Sequence, residues 1–366
     1  SIVPNWESIL KSYPMDMDIK VYSYESLRIN KLGIFGHDKS YRGSVKRVWN
    51  CDNKDFFIFD EAHRLKGLKS KISSIVSTIN CRCLFMSATL AQSPLEVKCI
   101  GKILDIFDGY SHYAWCLKNG CSRSSFGGLE FHGDGMSWAK GISRVSVRTS
   151  ISEINPDMPL NVINPFLIQV KQTKILGSLY SKYLELKQLK ESATTVVVAL
   201  MRALQMSELM KVNFYQELVM DHIGSSSKLV FFFNFVETGQ IFVDNLKSKG
   251  IKISYNHGSV PLNLKQENLD SFKSGNCKVL VLTYGTSSEG ISLDDQVGNC
   301  PRIVYLSPTH SAIKFKQALG RCYRIQTKSR VIQNIGYVSG TYEERVYARI
   351  KKKLNRISSL NDEDFS

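Results

Sequence analysis

The sequence predicts an α/β protein of two parallel-sheet lobes with a helical insertion and a helical linker between them. Three observations carry this expectation. The apolar run Phe56-Phe57-Ile58-Phe59 shows no alternation and ends on Asp60-Glu61-Ala62-His63, as a strand covered on both faces does when it reaches a sheet edge. A second run, Cys83-Leu84-Phe85-Met86, ends on Ser87-Ala88-Thr89. The last third of the chain then alternates short apolar runs with amphipathic stretches, the rhythm of strands and crossover helices.

In chain order, Ile2 to Trp6 reads as the end of a strand entering a helix, and Ile19 to Tyr24 as a strand. Residues 33 to 54 read as a loop carrying His37, Lys39, Arg42, Lys46 and Arg47 with Tyr41 and Trp49 interleaved, either a nucleic-acid contact surface or a solvated loop. Ser70 to Ile79 is helical by pattern. From about 93 to 150, Gly-rich and Ser-rich breaks mark an insertion on the first lobe, which spans 1–170. The linker, 171–225, is helical, with Leu176, Leu179, Tyr183 and Leu186 at helical spacing. In the second lobe, 226–366, strands are expected at Leu229–Phe233, Ile251–Ser254, Val279–Leu282, Ile303–Leu306 and Ile332–Val338. Helices are expected at Glu237–Lys249, Leu262–Phe272, from near Thr309, and at Tyr342–Leu354.

Bulk properties narrow the function. The 366 residues are 43% hydrophobic and 22% charged, with no apolar run of the ~18 to 20 residues that a membrane span needs. Forty-eight Lys and Arg against 33 Asp and Glu give +15, a balance that favours a polyanionic partner through counterion release. The N-terminus has no secretion-signal pattern, and nine cysteines without paired spacing fit reduced thiols, so an intracellular site is expected, in nucleus, cytoplasm or a viral factory. His112, Cys116, Cys121 and His132 match no standard zinc spacing and read as buried thiols and ordinary histidines.

The chemistry concentrates at strand ends. A carboxylate at Asp60 can hold a magnesium ion on a triphosphate while Glu61 positions or deprotonates water; the plainer alternative is a solvated acidic turn. Ser87 and Thr89, at the same edge, suit a sensor of the nucleotide's state or simple turn capping. Gln317, Arg321 and Arg324, at i, i+4 and i+7, share one helical face opposite Ala312, Phe315, Leu319 and Cys322, and two guanidinium groups so presented can fork onto phosphate. Thr283 to Gly290, with Ser287 and Ser288, and His257-Gly258-Ser259 are small, hydroxylated, glycine-containing loops after strands, fit to approach a phosphate backbone or to serve as plain turns.

Taken together, these motifs resemble those of superfamily 2 helicases, and within them the Swi/Snf-type translocases. Ile2-Val3-Pro4 with Trp6 resembles motif Ia and Val21 to Glu25 motif Ib. Asp60-Glu61-Ala62-His63 resembles the DEAH-box motif II, and Ser87-Ala88-Thr89 motif III. Leu229 to Phe235 resembles motif IV, Thr283 to Leu293 motif V, and Gln317-Ala318-Leu319-Gly320-Arg321-Cys322-Tyr323-Arg324 motif VI. The run from Gly285 through Asp362 is similar to helicases encoded by large DNA viruses. The resemblance implies two RecA-like lobes, ATP and Mg2+ as cofactors, and a nucleic-acid track, DNA favoured over RNA. It implies that Asp60 binds the metal, that Glu61 activates water, and that His63, Gln317, Arg321 and Arg324 belong to the catalytic set. Ser87 and Thr89 would couple the lobes, while Gly258, Ser259, Thr283, Ser287, Ser288 and Gly290 would bind nucleic acid.

Two departures qualify this. Ser87-Ala88-Thr89-Leu90 is closer to strand-separating helicases than to Swi/Snf-type motors. No Gly-x-x-x-x-Gly-Lys-Ser/Thr loop occurs in the chain. The expectation is therefore an N-terminally truncated ATPase motor, inactive alone without its phosphate loop. The alternatives are a non-catalytic nucleic-acid-binding scaffold derived from a helicase, or a metal-dependent nuclease using Asp60 and Glu61.

Overall fold

The computed structural model describes the chain except residues 1–2, 12–16, 32, 42–43, 53, 68–69, 89, 125–126, 134–135, 150, 171–180, 182–184, 186–192, 287–290 and 362–366. It divides into two compact units, Ser1–Arg148 with Asn355–Ser366, and Thr149–Leu354.

In the first unit, the helix expected after a strand end at Ile2 to Trp6 begins already at Val3 as α1 (Val3–Lys11), and the strand expected over Ile19 to Tyr24 does not form, α2 (Tyr24–Ile29) starting at its last residue. Pro4 sits in the first turn of α1, where its missing N–H costs nothing. Ser23 caps α2, its Oγ accepting the Ser26 N–H at 3.0 Å, so Tyr24 opens a helix instead of closing a strand. The expected loop over 33–54 is an antiparallel hairpin, β1 (Phe35–Tyr41) and β2 (Ser44–Trp49). It escaped the sequence pattern because its residues are largely polar and basic; among the described side chains Phe35 and Trp49, paired at its base, enter the core.

Strand β3 (Phe56–Phe59) pairs in parallel with β4 (Arg82–Phe85) through α3 (Lys71–Val76), whose cap Ser70 Oγ accepts the Ser73 N–H at 3.1 Å. Burial on both faces was expected for β3. The structure instead leaves Phe56 and Ile58 more than half exposed, because among the described residues β3 pairs with β4 alone. The insertion is α4 (Lys98–Ile103), α5 (His112–Lys118), the small hairpin β5 (Cys121–Arg123) and β6 (Leu129–Phe131), and α6 (Met136–Ser143). It builds its own small core around Trp115, Cys116 and Trp138. The reduced state expected for all nine cysteines fails at one pair: Cys51 and Cys81 form a disulfide across a separation of 30 residues that the sequence spacing did not signal.

The second unit opens with α7 (Ile151–Ile154) and β7 (Asn161–Ile168), then α8 (Ala193–Met210) and α9 (Val212–His222). The rest is β8 (Lys228–Phe233), α10 (Val236–Ser248), β9 (Ile253–Asn256), α11 (Leu262–Ser274), β10 (Val279–Thr283), β11 (Arg302–Leu306), α12 (Ala312–Cys322), β12 (Val331–Val338) and α13 (Tyr342–Asn361). Six strands form one parallel sheet in the order β7-β12-β11-β8-β10-β9. Strand β7 belongs to this sheet, paired with β12 along its whole length, so the first unit ends at Arg148 and not at 170. Its apolar face could not reveal in sequence which sheet it would join. The expected linker positions Leu176, Leu179, Tyr183 and Leu186 lie outside the described residues.

Strand β8 is buried at every position and supplies the centre of the core, where Phe231 stacks on Tyr305 at 5.0 Å and meets Phe242 at 4.7 Å. Each such ring removed from water contributes about 1.5 to 3 kcal/mol. Gly239 lets α10 lie against Tyr255, since a Cβ there would sit 2.4 Å from the Tyr255 hydroxyl oxygen.

A buried ionic network spans the carboxyl edge of the sheet. Lys211, fully buried between α8 and α9, donates through Nζ to Ser307 Oγ at 3.0 Å, to the Gly336 carbonyl at 3.1 Å and to Glu343. Glu208 accepts from the Asn234 backbone at 2.7 Å, the Asn234 side chain at 3.0 Å and the Phe235 backbone at 3.1 Å. Burial pushes the carboxyl groups of Glu208 and Glu343 up from their ordinary values, and the Lys211 ammonium opposes that shift. Replacing Lys211 by methionine strands two carboxylates without their cation. Lys211→Met is therefore expected to lower the unfolding free energy by about 3 to 5 kcal/mol in urea titrations, whereas a loss below about 1 kcal/mol would mean the network carries no stability.

Candidate functional site

The acidic turn is built by β3 and held by three neighbouring elements. Asp60 leaves the strand with its Oδ1 accepting the Glu61 N–H at 2.8 Å and its Oδ2 accepting Trp6 Nε1–H of α1 at 3.2 Å. The Tyr24 hydroxyl donates to the Asp60 carbonyl at 2.8 Å, and the Arg64 guanidinium lies over the Tyr24 ring at 5.3 Å. Burial holds the Tyr24 phenol well above its usual value, keeping it a donor. Below the turn, Met86 N–H donates to the Phe59 carbonyl and Ala62 N–H to the Met86 carbonyl, each at 2.9 Å, which pins the turn to the end of β4.

Glu61 adopts the left-handed backbone region at φ 50° and ψ 47°, a conformation that costs a non-glycine residue about 1 kcal/mol or more. A glutamate kept there is held by its surroundings. Its Oε2 lies 3.1 Å from His63 Nδ1, which also stands 3.3 Å from Ser87 Oγ. An Nδ1–H tautomer satisfies both contacts and aims the carboxylate. The structure thus gathers Asp60, Glu61, His63 and Ser87, as the sequence expects. Thr89 lies outside the described residues.

In the second unit, α12 ends at Cys322, so Arg324 follows the helix and does not share its face with Gln317 and Arg321. The two arginines nevertheless converge: Arg321 Nη1 and Arg324 Nη2 donate to the one carbonyl of Ile291, at 3.4 and 3.0 Å. Arg321 is buried, in contrast to a solvated basic stripe, and Gln317 is half-buried. Leu293 joins this cluster to the start of β11, its N–H donating to the Arg321 carbonyl and its carbonyl accepting Arg302 Nε–H at 2.8 Å. The arginines therefore lie by the amino ends of the strands.

The polar loops lie at the other end. Gly258 and Ser259 follow β9, and Thr283 closes β10, its parallel neighbour, so all three share the carboxyl edge. Gly258 and Ser259 are exposed; Thr283 is buried, with its carbonyl accepting Thr286 Oγ1–H at 2.8 Å. Thr283 thus supports the loop from beneath. Ser287, Ser288 and Gly290 lie outside the described residues.

Sequence reasoning placed Trp6 and Tyr24 only in segments resembling motifs Ia and Ib; the structure has both bonded to Asp60. No spacing rule links positions so far apart. At the cysteine-histidine cluster, His112 Nε2 lies 3.1 Å from the Pro94 carbonyl and 3.3 Å from Cys116 Sγ, and burial pushes the Cys116 thiol up to about 12. Among the described residues no three His, Cys, Asp or Glu side chains are grouped to hold a metal ion, and no helix is long and apolar enough to cross a membrane.

The strain at Glu61 can be read directly. Glu61→Gly and Glu61→Ala both lose the carboxylate, but only glycine tolerates the positive φ, so the glycine variant is expected to be more stable by about 1 kcal/mol in chemical denaturation. Equal stabilities would show that the turn relaxes and stores no strain.

Known proteins resemble the chain in part of its length and over the whole of it. A model of the helicase conserved C-terminal domain matches residues 210–326, from the end of α8 to just beyond α12. A protein of Acanthamoeba polyphaga mimivirus, named an ATP-dependent RNA helicase, is 23% identical over 410 residues, spanning all of this chain and 74% of that protein. The Sulfolobus solfataricus SWI2/SNF2 ATPase core, solved in complex with dsDNA, aligns with 99% of this chain and 81% of its own at 16% identity and a TM-score of 0.42. The C-terminal part of the Fun30 ATPase domain aligns with 57% of this chain and all of its own at 13% identity and a TM-score of 0.42. Residues 210–326 thus match the helicase conserved C-terminal domain, and over its whole length the chain is similar to a protein named a helicase.

Proposed function

We propose that the chain acts as a nucleic-acid-dependent ATPase, a helicase or double-stranded DNA translocase of Swi/Snf-like type that couples ATP hydrolysis to movement on its track. The observation that carries this reading is the strained Glu61, held beside an ordered Asp60 and hydrogen-bonded to His63. An acidic turn that only met solvent would need neither the backbone conformation nor the aromatic donors from α1 and α2.

Asp60 fits a hard cation. Its two oxygens are fixed by one N–H each and keep further lone pairs, the donor type that magnesium takes. Bound there, Mg2+ would neutralise phosphate charge. Glu61 would orient or deprotonate the attacking water, with His63 fixing the carboxylate and Ser87 fixing His63. Arg321 and Arg324 would release the Ile291 carbonyl to meet phosphate oxygens, the chemistry for which planar guanidinium groups are suited. Gly258, Ser259 and the loop after Thr283, at the carboxyl edge, would contact the nucleic-acid backbone.

DNA is the favoured track because the motif set resembles the Swi/Snf branch; the mimivirus relative's name supports RNA as the second reading. Both are tested by measuring ATP hydrolysis by the full-length gene product with duplex DNA, single-stranded DNA and RNA. Stimulation by one polymer identifies the track, and salt-sensitive binding without hydrolysis would establish a scaffold instead. In the same protein Glu61→Gln is expected to reduce stimulated turnover at least about 100-fold while leaving nucleotide affinity within about twofold. Unchanged turnover would remove Glu61 from the catalytic set.

A further inference from the structure

The hairpin β1–β2 takes no part in the hydrolytic arrangement, yet the segment 35–49 carries Lys39, Arg42, Lys46 and Arg47 against a single acid, Asp38. Its backbone register pairs His37 with Arg47 and Asp38 with Lys46. Its base is firmly anchored. Trp49 is 4% exposed, meets Phe35 at 5.8 Å and Phe57 at 5.5 Å, and donates from Nε1 to Thr78 Oγ1 at 3.1 Å. Just past β2, the Cys51–Cys81 disulfide ties the chain to the segment leading into β4.

At this base lies an open cleft of about 480 Å³, lined by Arg47, Lys102, Ser77, Thr78, Asn80 and Cys81 among others, with no acidic residue in its wall. Lys102 Nζ donates to the Ser77 carbonyl at 3.2 Å, and Arg47 Nη1 reaches Ser74 Oγ at 3.4 Å. These contacts use one N–H of each cation, and among the described residues neither cation meets a carboxylate. The Ser77 and Thr78 hydroxyls donate to the Ser74 and Ile75 carbonyls and so fix the wall; the two cations beside it, with the Asn80 amide, are suited to phosphate oxygens. The cleft precedes β4, whereas Asp60 follows β3, the parallel partner, so the two lie at opposite ends of strands roughly 13 Å long.

We propose that the cleft at the base of the hairpin forms a further nucleic-acid contact, in which Arg47 and Lys102 hold backbone phosphate, remote from the hydrolytic carboxylates. The proposal rests on the reading of the chain as a nucleic-acid-dependent ATPase and adds to it an interface on the first unit. A contact of this kind positions the polymer and does not read its sequence.

The test is equilibrium binding of fluorescein-labelled duplex DNA, single-stranded DNA and single-stranded RNA, by anisotropy across a range of salt concentrations, with the full chain. Arg47→Gln/Lys102→Gln removes two phosphate contacts, so the slope of log affinity against log salt is expected to become shallower by roughly 1.4 to 1.8. The charge-preserving Arg47→Lys/Lys102→Arg keeps the slope, which separates charge from misfolding. Lys247→Gln/Lys249→Gln, an equal charge loss at exposed positions in the last turn and C-cap of α10, leaves the slope within about 0.3 of the parent. A parent that binds with an unchanged slope in Arg47→Gln/Lys102→Gln overturns the interface and leaves the functional reading standing. Equal slope changes in both glutamine pairs reduce the effect to net charge and also overturn it. Displacement of labelled polymer from the parent by millimolar inorganic phosphate at constant ionic strength would reassign the cleft to a free anion. No binding of any polymer by the parent overturns the interface and the functional reading together.

Discussion

One buried ammonium group holds the working edge of the second unit together. Lys211 reaches Ser307 after β11, the Gly336 carbonyl in β12 and Glu343 of α13, and Glu343 in turn accepts the Val338 N–H that ends β12. Glu208, one turn earlier in α8, holds the backbone and side chain of Asn234, whose amide also donates to the Pro308 carbonyl at 2.8 Å. Loops after β8, β11 and β12 are thereby cross-linked by charge-assisted bonds in a region without solvent. Such a network is stabilising only when every member is satisfied, and breaking any part leaves an uncompensated charge.

The first unit solves the same problem differently. Its acidic turn is positioned by aromatic side chains, Trp6 and Tyr24, that combine ring packing with a single directed hydrogen bond. Tyr24 lies against Phe59, and Phe59 against Phe85 at 5.2 Å, so the stack that forms the core also aims the donors. An edge built this way can adjust by small rotations of rings, whereas one held by buried charges resists displacement. Glu61 adds local strain, which persists because both neighbouring strands determine the turn.

The placement of basic groups separates two kinds of electrostatics. Arg321 and Arg324 converge on a backbone carbonyl inside the second unit. Arg47 and Lys102 stand over an open cleft beside a hairpin rich in cations. The net charge of +15 is therefore unevenly placed: some cations are drawn into the protein by backbone acceptors, and others border an open cleft.

Much of the second unit was legible in the sequence, because β8, β10 and β11 are buried on both faces and write that burial as unbroken apolar runs between capped helices. The order Asp60-Glu61-His63 with Ser87 was legible for a related reason: both groups close apolar strands, and parallel pairing brings such ends together. Pairings across the chain were decided by the tertiary structure alone. Trp6 on Asp60, Cys51 with Cys81, and Lys211 with Glu343 join positions whose local patterns say nothing of one another. The basic hairpin was hidden because its sequence is largely polar and basic, and β7 because a strand's own residues do not name the sheet it completes. Periodicity in sequence records what a segment buries; which partner it buries against is settled only when distant segments compete for the same surface.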